Sequence, residues 1–148
     1  MNIVKTIDQY NEANVFFCEP IKNNIMNEGN FIRIMYSNPM FILNGIYLHV
    51  CINYTGIEKY YNKYKCSFDT SYYRDTIEKV RLIERSILKK SGIQGKSPQY
   101  KIYEQLNSGS IKLFSDSIEH LNNMFLLKIA GIWETDTDYG LTFKFIKI

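Results

Sequence analysis

The feature that most constrains this fold is an amphipathic helix pattern in the middle of the chain. Between Tyr73 and Lys90, apolar residues recur at spacings of three and four, which puts them on one face of an α-helix. That face must be buried against other elements. The sequence therefore predicts one long helix over 73–90, packed on a core that other segments supply. Its apolar positions are Tyr73, Ile77, Val80, Ile83 and Ile87.

Segments on both sides of this helix alternate between two sets of side chains with the two-residue period of a β-strand. Within Phe41–Ile52 the dipeptide Asn44-Gly45 indicates a bulge or a sharp bend, with a tight hairpin as the alternative. The last two segments are expected to pair as a hairpin, and a short helical turn is expected at Ser117–Leu121. The predicted strands are Asn30–Ser37, Phe41–Ile52, Ser110–Phe114, Asn123–Trp133 and Leu141–Ile148.

The order of elements is a set of strands, one long helix and then three further strands. The predicted fold class is therefore mainly β with one long helix. A small antiparallel barrel similar to the OB-fold has this layout, with the helix inserted between the third and fourth strands. The competing layout is a sheet with the helix packed across one face. The chain shows no internal repeat and no linker, so residues 1–148 are expected to form a single domain.

Composition excludes several classes of protein. A chain of 148 residues that is 45% hydrophobic can bury a real core, but no apolar run reaches the roughly 18 residues of a membrane-spanning helix. The first ten residues do not resemble a secretory signal, so we expect a protein that is not secreted, in a reducing compartment. The cysteines form no CxxC pair and are expected to be buried as small apolar residues, and the histidines add too few ligands for a closed zinc site. These residues are Cys18, Cys51, Cys66, His49 and His120.

The formal net charge of +3 conceals an uneven distribution. Residues 1–58 contain 3 basic and 5 acidic side chains, residues 59–101 contain 11 and 4, and residues 102–148 contain 4 and 6. The middle segment alone therefore carries +7, against −2 on each side. A concentrated positive charge favours phosphate backbones or acidic protein surfaces as partners. The alternative is a solvated helix face with a basic tail.

The segment Lys59–Lys65, with sequence KYYNKYK, combines cations and aromatic rings. A protein that binds single-stranded nucleic acid needs both, since cations neutralise phosphates and rings stack on bases. A chain with 14 lysines and 12 tyrosines produces such clusters readily, so a solvated hairpin is the alternative. Alternation along a single strand would divide the segment between two faces. One face would carry Lys59, Tyr61, Lys63 and Lys65, and the other Tyr60 and Tyr64.

A second candidate set comes from side chains on the exposed side of the predicted strands. Within it, Trp133 either stacks on bases or anchors the core beside Phe125 and Phe143. Arg33 either points into a binding face or meets an acidic partner. The set is Arg33, Tyr36, Tyr47, His49, Lys128, Trp133 and Lys144. The candidate nucleic-acid-binding residues from both sets, with Arg74 added from the predicted helix, are Lys59, Tyr60, Tyr61, Lys63, Tyr64, Lys65, Arg33, Tyr47, Arg74, Lys128, Trp133 and Lys144.

No catalytic signature is present in the spacing of the titratable residues. Glu134, Asp136 and Asp138 alternate in a way that would suit a divalent cation, but an acidic hairpin turn is the commoner origin of such a run. We therefore predict no catalytic residue, no metal and no cofactor. An enzyme would require distant residues to converge, for example His49 with Asp136.

Two segments resemble known proteins. Asn30–Val50 and Leu126–Ile148 resemble short uncharacterised proteins of nucleocytoplasmic large DNA viruses, the giant viruses. The closing pattern, GIW followed by a polar turn and YGLTFKF, is also similar to the end of phage-type OB-fold single-stranded-DNA-binding proteins. Those proteins end in a flexible acidic tail that recruits replication partners, whereas this chain ends in the apolar and basic Phe145–Ile148. The resemblance implies an OB-like fold and a place in the host cytoplasm, the viral factory or the virion.

These observations support two functions from different classes. The first is a non-catalytic viral protein of DNA replication that binds single-stranded nucleic acid with low sequence specificity, DNA or RNA being open. The second is a virion structural or assembly module with no nucleic-acid role. A homodimer or a viral protein partner is compatible with either.

Overall fold

The computed structural model describes residues 5–22, 29–61, 63–114 and 124–147. The expected helical turn at Ser117–Leu121 lies outside these residues, as does His120. The helices are α1 (Arg74–Lys90) and α2 (Lys101–Asn107), and short 3-10 turns cover Ile7–Gln9 and Glu12–Asn14. The strands are β1 (Lys5–Thr6), β2 (Val15–Phe17), β3 (Ile21–Lys22), β4 (Asn30–Asn38), β5 (Phe41–Leu43), β6 (Ile46–Cys51), β7 (Gly56–Tyr60), β8 (Lys63–Ser67), β9 (Ser97–Gln99), β10 (Ser110–Phe114), β11 (Met124–Glu134) and β12 (Asp138–Lys147).

Helix α1 confirms the prediction from the apolar stripe. Ile77, Val80 and Ile87 are buried, and the helix begins at Arg74, one residue after Tyr73. At its other end the N–H of Ser91 donates to the carbonyl of Ile87, and the next residue is a glycine with a φ of +73°. Glycine adopts this left-handed conformation without steric cost, so the helix ends there.

Helix α2 was not predicted, because its seven residues contain only two apolar positions one turn apart, Ile102 and Leu106. Tertiary contacts stabilise it instead. The fully buried carboxylate of Glu84 on α1 accepts the N–H groups of Ile102 and Tyr103, each at 3.0 Å. These N–H groups lie in the first turn of α2, where they have no partner within the helix. Burial raises the pKa of Glu84 to about 7.

The strands form a mixed sheet in the order β1-β6-β11-β12-β10-β8-β7, with β4 beside one half of β11. Most neighbours are antiparallel, but β1 runs parallel to β6, and both β9 and β10 run parallel to β12. Among the described residues β1 and β7 end this order, so the sheet is not closed. The mainly β fold class is confirmed. The prediction of a small antiparallel barrel is wrong for the described strands. Strand β10 pairs with β12 in parallel, and the β7–β8 hairpin continues the sheet beyond β10 instead of closing it.

The position of the helix also differs from the expectation, since α1 follows the eighth described strand and not the third. Buried residues of α1 and α2 share one core cluster with those of a single side of the sheet, including Leu48, Leu127 and Phe145. The helices therefore pack across one face, as in the competing layout. We call this side of the sheet the helix face and the opposite side the outer face.

A bulge in β11 sets which side chains reach each face. Phe125, Leu127 and Ile129 lie on the helix face. Because the register shifts between Ile129 and Gly131, the next residue of β11 on the helix face is Ile132. The alternation predicted through Trp133 missed this extra residue. Before the bulge β11 pairs with β6, and after it with β4.

The expected bend at Asn44-Gly45 is confirmed. It separates β5 from β6, and these two strands pair with different partners, β4 and β11. Gly45 has a φ of +110°, and a Cβ there would lie 3.1 Å from the carbonyl oxygen of Ile129. The tight hairpin is therefore excluded, and glycine is required for two independent reasons.

Two smaller expectations need correction. Tyr36 belongs to the core and not to the exposed set, since its side chain is 2% exposed and its hydroxyl accepts the N–H of Asn11. Of the three cysteines, which were expected to be buried, only Cys66 is; Cys18 is partly exposed and Cys51 is exposed.

Candidate nucleic-acid interface

The segment Lys59–Lys65 forms a hairpin and not one strand. Tyr60 pairs with Lys63, and Tyr61, next to this pair, has a φ of 53° and is 97% exposed at the tip. The turn overturns the expected division into faces. Lys59 and Tyr64 now share the helix face, with the Lys59 ammonium 5.7 Å from the centroid of the Tyr64 ring. Tyr60, Lys63 and Lys65 share the outer face.

Pairing registers bring lysines from neighbouring strands into line on the outer face. Lys65 on β8 lies opposite Lys112 on β10. The parallel pair Leu113 and Phe145 puts Lys112 beside Lys144 on β12, and Lys144 lies opposite Lys128 on β11. We call these four residues the lysine row. Because adjacent strands are about 4.8 Å apart, the row is about 14 Å long.

The row is an electrostatic cost to the folded chain, because like charges directly opposite each other on paired strands are destabilising. Within the described residues the ion pairs involve other cations: Lys79, Arg81, Lys96 and Lys101. Lys128 instead lies over the Tyr47 ring, its ammonium 5.6 Å from the centroid. The row thus makes no ion pair with the described residues, although Glu58 on β7 lies opposite Lys65 on the same face.

Aromatic rings lie on the same face beyond the β11 bulge. The Trp133 ring covers Gly140, where a Cβ would lie 2.8 Å from a ring carbon. The Phe31 ring covers Gly131 in the same way, at 2.6 Å. Both rings are partly exposed and outside the core cluster, so the alternative of Trp133 as a core anchor is wrong. The glycines allow the rings to lie against bare backbone.

Arg33 connects these two regions of the outer face. It is exposed, lies opposite Gly131, and makes no ion pair with the described residues. Gly131 in turn lies opposite Thr142, which is two residues before Lys144 on β12. Arg33 therefore stands between the aromatic rings and the lysine row.

The far end of the row opens into a groove beside the hairpin. Its volume is about 340 Å³, and Lys65, Lys112 and Tyr60 are among its lining residues. Lys63 and Tyr64 complete the lining. A groove bordered by three ammonium groups and a phenol ring can hold an anionic group beside a planar one.

The predicted site is therefore assembled only in part. The outer face brings together Arg33, Tyr47, Tyr60, Lys63, Lys65, Lys128, Trp133 and Lys144. Lys59 and Tyr64 lie on the helix face, Arg74 lies on α1, and Tyr61 forms the hairpin tip. Sequence reasoning missed Lys112 and Phe31, although alternation within their strands marked both as pointing away from the core.

The acidic turn does not assemble a metal site. Glu134 accepts a hydrogen bond from Asn30 and pairs with Lys96 at 3.2 Å, and these contacts lower its pKa. Asp138 accepts hydrogen bonds from Gln99 and Thr137. Across the described residues no three His, Cys, Asp or Glu side chains converge as metal ligands would.

Comparison with protein-family models, with curated proteins and with solved structures found no match to this chain. Among the described residues, neither helix is long and apolar enough to span a bilayer.

Proposed function

We propose that the outer face binds single-stranded nucleic acid with low sequence specificity. The observation that carries this proposal is the lysine row, Lys65, Lys112, Lys144 and Lys128 on four adjacent strands. Phosphates that come between the ammonium groups relieve the repulsion among the four lysines. The counterions released from the nucleic acid add to the affinity.

The arrangement of the rings favours a single strand over a duplex. Trp133, Phe31 and Tyr47 are partly exposed on the side of the sheet opposite the helices, where they reach only bases that are already unstacked. Stacking is worth about 1–3 kcal/mol per base and tolerates any base, which suits low sequence specificity. Open sheets whose exposed rings stack on bases are an established mode of RNA recognition. The proposal therefore does not depend on the OB-like barrel.

The resemblance to giant-virus proteins and to phage-type single-strand binders supports a setting for this activity. In that setting the protein works in viral DNA replication, in the host cytoplasm or viral factory. We propose no catalytic step for it.

Salt dependence tests the proposal. If each of the four lysines contacts one phosphate, the logarithm of affinity falls against the logarithm of salt concentration with a slope of about −2.8. Affinity then drops roughly 50-fold between about 50 and 200 mM salt. In the double variant Lys128→Gln, Lys144→Gln we expect a slope of about −1.4 and a drop of roughly sevenfold. Fluorescence anisotropy with a labelled single-stranded oligonucleotide measures both.

The matched control is Lys101→Gln, an exposed lysine on α2 at the helix face, which should leave the slope unchanged. An intact chain that binds no oligonucleotide at low salt contradicts the proposal. So does a double variant with the wild-type slope, because phosphates would then contact other residues.

A second candidate function is an assembly module, which exposed apolar side chains favour. Phe16 is 53% exposed and Ile42 is 70% exposed, and they share one face of β2, β4 and β5, with Met35 between them. Neighbouring Met40 is 90% exposed. If this face joins copies of the chain, sedimentation will show concentration-dependent association that Ile42→Lys abolishes. A monomer at all concentrations contradicts self-association.

A further inference from the structure

A cleft runs along α1 on the side of the molecule opposite the lysine row. It consists of two adjoining cavities that share Arg85 and Tyr100. The first, of about 180 Å³, lies between α1 and Tyr103, and the second, of about 380 Å³, extends over Lys89 to Tyr139. The second cavity alone falls within the range of about 300–1,000 Å³ that small-molecule sites span, and the first adjoins it.

One wall of the cleft is a stripe of cations. Arg81, Arg85 and Lys89 follow each other at intervals of four residues, so they lie about 6 Å apart along one side of α1. Arg81 is engaged by the carboxylate of Glu78, with N–O distances of 2.7 and 3.0 Å. Arg85 and Lys89 make no ion pair with the described residues.

The helix dipole explains only part of this stripe. Lys89 lies in the last turn of α1, where a cation is favoured by the carbonyl ends of the helix. Arg85 lies more than one turn from the end, beyond the reach of that effect. Neither the helix dipole nor an ion pair with the described residues therefore accounts for its exposed guanidinium.

The two ends of the cleft differ in chemistry. At one end the rings of Tyr100 and Tyr103 provide a flat carbon surface, with the Arg81 guanidinium 5.8 Å from the centroid of the Tyr103 ring. At the other end, the hydrogen-bond donors come from Arg85, Lys89 and Gln94. A ligand that fits both ends carries a planar ring and an anionic group.

We propose that this cleft binds a nucleoside phosphate, with the phosphate at Arg85 and Lys89 and the base against Tyr100. A guanidinium donates two parallel hydrogen bonds to a phosphate, which makes Arg85 the stronger contact. The site is independent of the proposed function, because it lies on the other side of the sheet from the lysine row.

Calorimetry on the intact chain tests the site with adenosine 5′-monophosphate, adenosine and ribose 5-phosphate. We expect the nucleotide to bind at least about tenfold more tightly than either fragment, since each fragment lacks one of the two contacts. Arg85→Gln should weaken nucleotide binding by about tenfold. Tyr100→Leu should weaken the nucleotide and leave ribose 5-phosphate unchanged. Thermal unfolding of each variant controls for folding, and the exposed Arg85 should not affect it.

Four results would overturn this assignment. The first is an intact chain that binds no nucleotide at millimolar concentration, and the second is ribose 5-phosphate binding as tightly as the nucleotide. The third is an acidic peptide that displaces the nucleotide, because the cleft would then be a protein-docking site. The fourth is loss of nucleotide binding in the variant Lys128→Gln, Lys144→Gln, because the ligand would then lie on the outer face. Single-strand binding should be unchanged in Arg85→Gln, so failure here is distinguishable from failure of the proposed function.

Discussion

Lys144 has another lysine of the row on each side, Lys128 on β11 and Lys112 on β10. Replacing it with glutamine keeps a long polar side chain and removes both repulsions. A directly opposed charge pair changes stability by about 0.2–1 kcal/mol. Since Lys144 is exposed and screened, we expect Lys144→Gln to raise the free energy of unfolding by about 0.5 kcal/mol. For a chain of 148 residues this raises Tm by about 1–2 °C.

Thermal unfolding at two ionic strengths measures this gain. The gain should be present at about 0.01 M salt, where the Debye length is about 30 Å, and should vanish at about 1 M, where it is about 3 Å. Lys79→Gln is the control with the opposite sign, because it removes the attraction of Lys79 to Asp8 and Asp75. A Lys144→Gln variant that is less stable than the natural chain at low salt would refute the electrostatic reasoning. So would a gain that persists at high salt.

Two further predictions concern stability. Glu84 has a pKa of about 7 in the folded chain and about 4.5 in the unfolded chain. Between these pH values the folded state binds more protons than the unfolded state. The free energy of unfolding therefore falls as pH rises through this range, by up to about 3 kcal/mol. Urea unfolding from pH 4 to pH 8 should show this fall, and Glu84→Gln should remove it; an unchanged profile would rule out Glu84 as its source. Gly140→Ala should displace the Trp133 ring, shift the emission of this sole tryptophan and destabilise the fold by about 1–3 kcal/mol. Unchanged emission would contradict the close packing.

Elements that depend on local periodicity were predictable from the sequence, and elements that depend on long-range pairing were not. The stripe of α1 extends over several turns, so its buried face was evident from Ile77 to Ile87. The β11–β12 hairpin likewise connects neighbours in the chain. By contrast, the parallel contact between β10 and β12 rests on Leu113 and Phe145, which no turn or motif relates. That contact decides between a closed barrel and an open sheet.

The candidate site was predictable to the same degree. Alternation identified Lys128 and Lys144 as pointing away from the core, but it could not show that they lie opposite each other, because register is a property of the pair. Lys112 was missed for the same reason. Lys59 was put on the wrong face because Tyr61 adopts a positive φ that tyrosine rarely takes, and this turn reverses the chain inside the KYYNKYK segment.

Composition accounts for the number of lysines in this chain but not for their register. A chain with 14 lysines and a buried helix face confines these lysines to exposed positions on any strand. Neither effect explains why four lysines are aligned on the adjacent strands β8, β10, β12 and β11. Repulsion between opposed ammonium groups acts against this alignment. Ion pairs elsewhere, such as Lys96 with Glu134, show that the same chain does pair its lysines with carboxylates. A row of opposed lysines that makes no ion pair with the described residues and costs stability is the kind of feature that proteins retain at functional surfaces. The row, and not the net charge, therefore carries the proposal of a phosphate-bearing partner.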